Sequence, residues 1–251
     1  MSFFKSGNPT LSEKIFDRTM GTQHAEVMTV RGTLNKFGIL FILTLGTAGL
    51  AWKMANDGVN ITTYMWVAVF AALGIAVLTT FKPQLANYTG PLYALAKGFA
   101  LGGISAFYNY RFDKIAPGII TQAVTITFGV ALAMFALYHF RIIKATERFK
   151  SIVITATVGI FFFYLIALVL GAFGVTIPFL HEGSTIGIIF SLFVVGLAAL
   201  NLILDFDMIE QGAAQGAPKY MEWYGAFGLL VTIAWLYLEI LRLLAKLSDR
   251  K

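Results

Sequence analysis

Seven apolar stretches follow one another along this chain, and no other feature limits the possible folds as strongly. They cover residues 37–55, 64–81, 92–107, 118–140, 152–175, 186–209 and 220–247. Each is about as long as the roughly 17 to 25 residues that cross the hydrocarbon core of a bilayer. Lys97 interrupts the third stretch, but its long side chain can extend to the nearest interface. We therefore predict an all-α, polytopic integral membrane protein with seven transmembrane helices in one bundle.

The composition supports a membrane domain over residues 36–251, with hydrophobic residues making up 58% of the chain and charged residues 13%. The chain contains no cysteine, which excludes disulfides, iron–sulfur clusters and thiolate zinc sites. Lysine and arginine lie mostly at the ends of the apolar stretches, the pattern of membrane anchoring. That distribution argues against binding to nucleic acid.

Residues 1–35 form a polar tail, and no apolar core of a cleavable signal peptide precedes residue 37. Ser12, followed by EKIFDRTM, can cap a short amphipathic helix on the membrane surface. A mostly disordered tail fits the Gly and Pro residues before Ser12 equally well. Both interpretations stay open at this point.

Small residues recur at a spacing of four on two of the apolar stretches. Gly98 and Gly102 have this spacing on the third stretch, and Ala167 and Gly171 have it on the fifth. The spacing places the small residues on one helix face, where a neighbouring helix can approach closely. We predict helix packing at both places.

The sequence does not favour an enzyme, and no cofactor is expected. His181 and Glu182 lack the second His four residues on that a zinc-protease helix requires. Ser105 has no histidine base at comparable depth in a span. A glycine-rich phosphate loop is also missing, which argues against a nucleotide-driven pump.

Acidic residues in the last two apolar stretches point to a functional site, because a charged side chain at membrane depth costs roughly 2.5 to 3.5 kcal/mol. Asp205 and Asn201 are four residues apart and so share one helix face. Asp207 is rotated by about 200° from Asp205 and must face elsewhere. Glu222 and Glu239 lie in the last stretch. Glu210 is close to the loop and is expected to be solvated.

Two interpretations of Glu239 carry equal weight. Arg242 follows it by three residues and can neutralise its charge within the same helix, which would give Glu239 a structural role. Alternatively, Glu239 takes part in function together with Asp205.

Two motifs in these stretches resemble the signatures of the Bax inhibitor-like family. LDFDMI is similar to the motif that ends the sixth helix of that family, and WLYLEILRLL is similar to the motif of its last helix. The resemblance covers nearly the whole chain after residue 30. The MTVRGTLNK and GAPKYMEWYGAFGLL segments are similar to a bacterial subgroup.

The resemblance implies a pH-sensitive calcium leak, in which a carboxylate pair between the last two helices senses protons. Asp205 and Glu239 match the positions of that pair, and the same two acids would form a transient calcium site. Desolvation and a like-charged neighbour both favour the protonated form of a carboxylic acid. Calcium and protons, the lipid bilayer and other membrane proteins are the implied partners, and a bacterial inner membrane is the implied location.

The partner of Asp205 depends on where the last helix begins. If that helix runs without interruption from Lys219, Glu222 lies nearer to the depth of Asp205 than Glu239 does. If Gly225 and Gly228 delay its start until Leu229, Glu239 lies at the depth that the family motif requires. The family motif favours Glu239.

Two other functions are compatible with the same acids. A proton-coupled secondary transporter would use them as a proton relay. A non-transporting membrane scaffold of a stress response is implied by the protective members of the family. Ion flux in pure lipid vesicles separates a leak from both alternatives.

The charge pattern generates a topology prediction, with a cytoplasmic N-terminus and the C-terminus on the opposite side. The loops expected in the cytoplasm carry Lys82, Arg141, Lys144, Arg148, Lys150 and Lys219. Reporter fusions at each terminus measure this directly. Both termini on one side of the membrane would contradict seven spans.

Overall fold

The computed structural model describes residues 26–175 and 183–250 and contains, within them, seven α-helices and no strand. The all-α bundle predicted from the sequence is confirmed. The helices are α1 (Val30–Asn56), α2 (Thr62–Phe81), α3 (Ala86–Phe112), α4 (Ile119–His139), α5 (Glu147–Ala172), α6 (Thr185–Ala214) and α7 (Met221–Ser248). The expected amphipathic helix after Ser12 and the residues His181 and Glu182 lie outside the described residues.

Five helices begin before the apolar stretches that predicted them, and polar capping residues precede three of these helices, α1, α5 and α6. Thr29 accepts a hydrogen bond from the Gly32 amide at 2.9 Å and so caps α1. Thr146 caps α5 through the Phe149 amide, and Ser184 caps α6 in the same way. A capped helix extends beyond the hydrocarbon core into the interface, where its first amides are satisfied.

The bundle is built around α7, which packs against α1, α3, α4 and α6. Half of the residues in its apolar window are buried, compared with 11% for α2 and for α5. Those two outer helices pack mainly on one neighbour each, α2 on α3 and α5 on α6. Their remaining surface is apolar and faces outward, as expected for contact with lipid.

Within residues 26–175 and 183–250, six of the seven helices are long and apolar enough to cross a membrane, and α3 is the one that is less apolar. With 27 residues, α3 spans about 40 Å at 1.5 Å per residue, so its length is sufficient. Its buried face is formed largely by small and polar residues such as Gly98, Gly102 and Ser105. Because this face contacts protein, α3 does not need the apolar surface of an outer helix.

The predicted close approach at Gly98 and Gly102 is confirmed. A Cβ atom on Gly98 would overlap the Thr44 carbonyl group of α1, and one on Gly102 would overlap the backbone of Ala48. The Thr44 hydroxyl also lies 3.3 Å from the Ala94 carbonyl oxygen, a contact between the two helices. The absent side chains let α1 and α3 meet backbone to backbone.

The packing predicted at Ala167 and Gly171 is wrong for Gly171. A Cβ atom there would meet no described atom within 4 Å. The reason is the outer position of α5, whose Gly171 faces away from the bundle. Spacing alone could not distinguish an inward from an outward face.

The two ends of the bundle are defined by the direction of the helices. Residues at the start of α1 contact the start of α7, and the end of α7 contacts the start of α6. We call the end where α1, α3, α5 and α7 begin the N-terminal end, and the other the C-terminal end.

The backbone contact between α1 and α3 generates a stability prediction. We expect Gly102→Ala to destabilise the protein by about 1 to 3 kcal/mol, because the new methyl group meets backbone atoms that cannot turn aside. Gly129→Ala in α4 is the matched control, since its Cβ atom enters open space. Thermal unfolding in detergent measures both variants. Equal midpoints would contradict the close packing.

Candidate functional site

The acids of the last two helices are positioned by a continuous α7, which runs from Met221 to Ser248. The alternative in which Gly225 and Gly228 delay the helix start is therefore wrong. Both glycines lie within the continuous helix. Ile209 and Thr33 approach the Cβ position of Gly225 to 3.1 and 3.2 Å, so close packing explains this glycine, whereas the Cβ position of Gly228 has only ordinary contacts.

Asp205 lies midway in depth between the two acids of α7. Its Oδ1 atom is 3.9 Å from the Cβ position of Gly228, and its side chain also interacts with Thr232. Glu222 lies six residues before Gly228, the first of these two contacts, and Glu239 lies seven residues after Thr232, the second. Those separations correspond to about 9 and 10 Å along the helix axis.

The structure does not bring Asp205 together with Glu239 or with Glu222. The two-acid calcium site expected from Asp205 and Glu239 is consequently not formed, and among the described residues no group of three or more His, Asp or Glu side chains could hold a metal ion. The physical reason is the uninterrupted helix, which places one acid above Asp205 and the other below it. The part that any of these acids plays in sensing protons or passing ions stays a prediction.

The carboxyl group of Asp205 is the least satisfied of the three. Its Oδ2 atom is buried and has no hydrogen-bond partner among the described residues. Leu202, one turn before it on α6, and Leu229, which follows Gly228 on α7, are both buried apolar residues. A charged carboxylate is costly in such a place unless a proton or a cation neutralises it.

Glu222 is fully buried and completely satisfied at the N-terminal end. Its Oε1 atom accepts hydrogen bonds from the backbone amide and the hydroxyl of Thr29, both at 2.9 Å. Lys36 of α1 forms an ion pair with the other oxygen, and Lys219 lies 3.4 Å from Oε1. A Cβ atom on Gly32 would overlap this carboxylate, so a glycine is required where α1 passes it.

Glu239 is also neutralised, by the residue that the sequence suggested. The Arg242 Nη1 atom donates to both carboxylate oxygens at 2.9 Å, which confirms the ion pair within α7. Trp235 and Tyr164 donate to the same carboxylate, each at 3.2 Å. Arg242 also donates to the Tyr164 hydroxyl at 2.6 Å, which ties α7 to the outer helix α5.

Asp207 points away from Asp205, as the helical rotation predicts. Lys150 of α5 forms an ion pair with it at 2.9 Å, and Gln211 donates to it at 2.7 Å. Glu210 is partly exposed, as expected, and pairs with Arg141 at 2.6 Å. These charges belong to the N-terminal end of the bundle and not to the interior.

Asn201 faces α5, so it does not join Asp205. Its side-chain amide donates to the Thr157 hydroxyl at 2.8 Å and to the Leu197 carbonyl at 2.9 Å. Although Asn201 and Asp205 share a helix face, their side chains contact different helices. Asn201 binds Thr157 of α5, and Asp205 interacts with Thr232 of α7.

The sequence analysis missed the residues outside α7 that bind Glu222 and Glu239. Thr29 stands before the first apolar stretch as a capping residue would, and this local signal could have been used. Lys36 and Tyr164 carry no such signal, because they are 186 and 75 residues away from the acids they bind.

Taken together, the fold and the buried acids define a helical integral membrane protein. The family model described as Bax inhibitor 1 like matches residues 8–249, and the chain belongs to that family. Neither the curated proteins nor the solved structures contain a match to this chain.

The buried ion pair at Glu222 generates a second stability prediction. Lys36→Met leaves a buried carboxylate without its closest cation and should cost roughly 3 kcal/mol or more. Arg141→Met is the control, since the Arg141–Glu210 pair is about half exposed and worth less than about 1 kcal/mol. Thermal unfolding in detergent compares the two.

The double variant Lys36→Met with Glu222→Gln tests the cause. It should regain much of the lost stability, because no buried charge remains. A double variant as unstable as Lys36→Met alone would show that the loss comes from packing.

Proposed function

We propose that this protein is a pH-sensitive leak pathway for cations, principally calcium, and that protonation of Asp205 controls it. One observation carries the proposal. Asp205 is an acid within the α6–α7 contact whose buried oxygen has no hydrogen-bond partner in the described part of the chain, whereas Glu222 and Glu239 are each paired with a cationic side chain.

The difference between the three acids decides which of them can respond to pH. Glu222 and Glu239 have a permanent counter-charge in Lys36 and Arg242, so their ionised forms are already stabilised. Among the described residues, no such cation pairs with Asp205. A proton is then the simplest neutralising species, and its loss leaves a carboxylate that attracts a mobile cation.

The available ligands suit a hard cation in transit. Asp205 and Thr232 offer oxygen atoms, which calcium prefers, but a stable calcium site takes six to eight such ligands. Two protein groups together with water would bind the ion weakly, as conduction requires. In this proposal Glu222 and Glu239 have structural roles at the two ends of the bundle.

Family membership supports a membrane protein of the Bax inhibitor 1-like type, and the LDFDMI motif supports a role for Asp205. The sign of the pH effect follows from charge. Acidification protonates Asp205 and removes its attraction for cations, so flux should fall as the pH falls.

We predict that Asp205→Asn loses most of this pH response, because the amide keeps the shape of the acid and cannot ionise. Calcium flux into proteoliposomes of pure lipid, measured at several pH values, tests the variant. Flux should be low at every pH, as in the protonated wild type. Asp207→Asn is the control and should keep the wild-type profile, since Asp207 faces Lys150.

Other outcomes identify other functions. Saturable uptake that requires a proton gradient would indicate a proton-coupled transporter. An absence of flux in both the wild type and the variants would indicate a non-transporting scaffold. An unchanged pH profile in Asp205→Asn would remove this residue from the sensor.

A further inference from the structure

Residues 26–29 cross the N-terminal end of the bundle and pair with the loop between α6 and α7. Val27 and Pro218 form an antiparallel bridge, and the Met28 amide donates to the Ala217 carbonyl at 2.7 Å. Thr29 then caps α1. The segment is thus attached at both sides to elements that surround Asp205, and we call it the strap.

The side chain of Met28 fills the space between α6 and α7. It is 3% exposed. Its sulfur lies 3.0 Å from the Cβ position of Gly212 on α6, and its Cε atom lies 3.6 Å from that of Gly225 on α7. One flexible, unbranched side chain therefore contacts a glycine on each of the two helices.

Asp205 lies one turn deeper in the same contact. Gly228, three residues after Gly225, is the position that approaches the Asp205 carboxyl group. Three residues correspond to about 4.5 Å along α7. Met28, together with the buried Ile209 of α6, which lies 3.1 Å from the Cβ position of Gly225, therefore lies between this carboxyl group and the N-terminal end of the bundle.

Glu222 anchors the strap, and this gives the buried acid a second purpose. Both hydrogen bonds from Thr29 end on its Oε1 atom. Lys36 and Lys219 hold the carboxylate in its ionised form from α1 and from the loop. The strap is consequently fixed to the first turn of α7, one turn before Gly225.

We propose that the strap regulates access to Asp205, with Met28 as the plug that closes the approach from the N-terminal end and Glu222 as its anchor. Displacement of the plug opens a path for water, protons and cations to the Asp205 carboxyl group. The regulatory meaning rests on the proposed function, whereas the closure itself can be tested without ion flux.

The test uses the fact that the chain contains no cysteine. Gly228→Cys places a thiol beside Asp205, at a position where a Cβ atom makes only ordinary contacts. Its rate of modification by a water-soluble methanethiosulfonate reagent is measured in detergent, in the full-length chain. Adding Met28→Ala should raise this rate by roughly tenfold or more, because the reagent can then reach the thiol without a local displacement of the Met28 side chain.

Met134→Ala is the matched control, since Met134 is a largely buried methionine that belongs to α4 and not to the strap. It should leave the modification rate unchanged. Thr29→Val removes a hydroxyl donor to Glu222 and should raise the rate less than Met28→Ala does. An equal rate with Met28 and with Met28→Ala, in protein whose thermal unfolding is cooperative, overturns the proposal.

A second measurement does not depend on removing Met28. Val27 and Pro218 are directly opposed, so Val27→Cys with Pro218→Cys can form a disulfide that locks the strap. With the strap locked, calcium flux should fall and a reductant should restore it. If the thiol beside Asp205 becomes accessible in Met28→Ala but no protein passes calcium, the plug stands and the leak function fails. If calcium flux keeps a normal pH profile but Met28→Ala leaves the thiol modification rate unchanged, the leak function stands and the plug fails.

Discussion

The cost of an unneutralised charge in an apolar interior is the constraint on which this bundle depends. The two buried acids meet it with cations from the protein, Lys36 for Glu222 and Arg242 for Glu239. Both pairs lie on or against α7, the helix that contacts most of the others. The pair at Glu222 ties α7 to α1, and the pair at Glu239 reaches α5 through Tyr164. Charge neutralisation thus fixes the helices at both ends of the bundle.

The middle of the α6–α7 contact is built differently. Small residues such as Gly225 and Gly228 line it, and Met28 closes it from the N-terminal end. Asp205 is the acid left there, with Thr232 as its polar neighbour. Ion pairs therefore hold the bundle at its ends, and between them one oxygen of Asp205 has no hydrogen-bond partner among the described residues. The proposed function and the proposed strap both follow from this arrangement.

Local sequence patterns predicted the features that depend only on residues close together in the chain. Seven apolar stretches gave seven helices, the rotation between Asp205 and Asp207 was correct, and the i,i+3 pair of Glu239 and Arg242 formed. The depth of Asp205 was not predictable, because it depends on where α6 ends and α7 begins and on how two helices align. The partners of Glu222 come from the opposite end of the chain, as the 193 residues between Thr29 and Glu222 illustrate. Gly171 shows the same limit, since its spacing carries no information on which face meets another helix.

The central claim is the proposal that Asp205 exchanges a proton. Infrared difference spectroscopy of the purified protein across a pH titration measures this most directly, because a protonated carboxyl group has its own stretching band. We predict a band that grows on acidification, disappears in Asp205→Asn and persists in Glu222→Gln and in Glu239→Gln. A band that survives in Asp205→Asn but is lost in Glu239→Gln would contradict the account and return the sensor to the ion pair of α7.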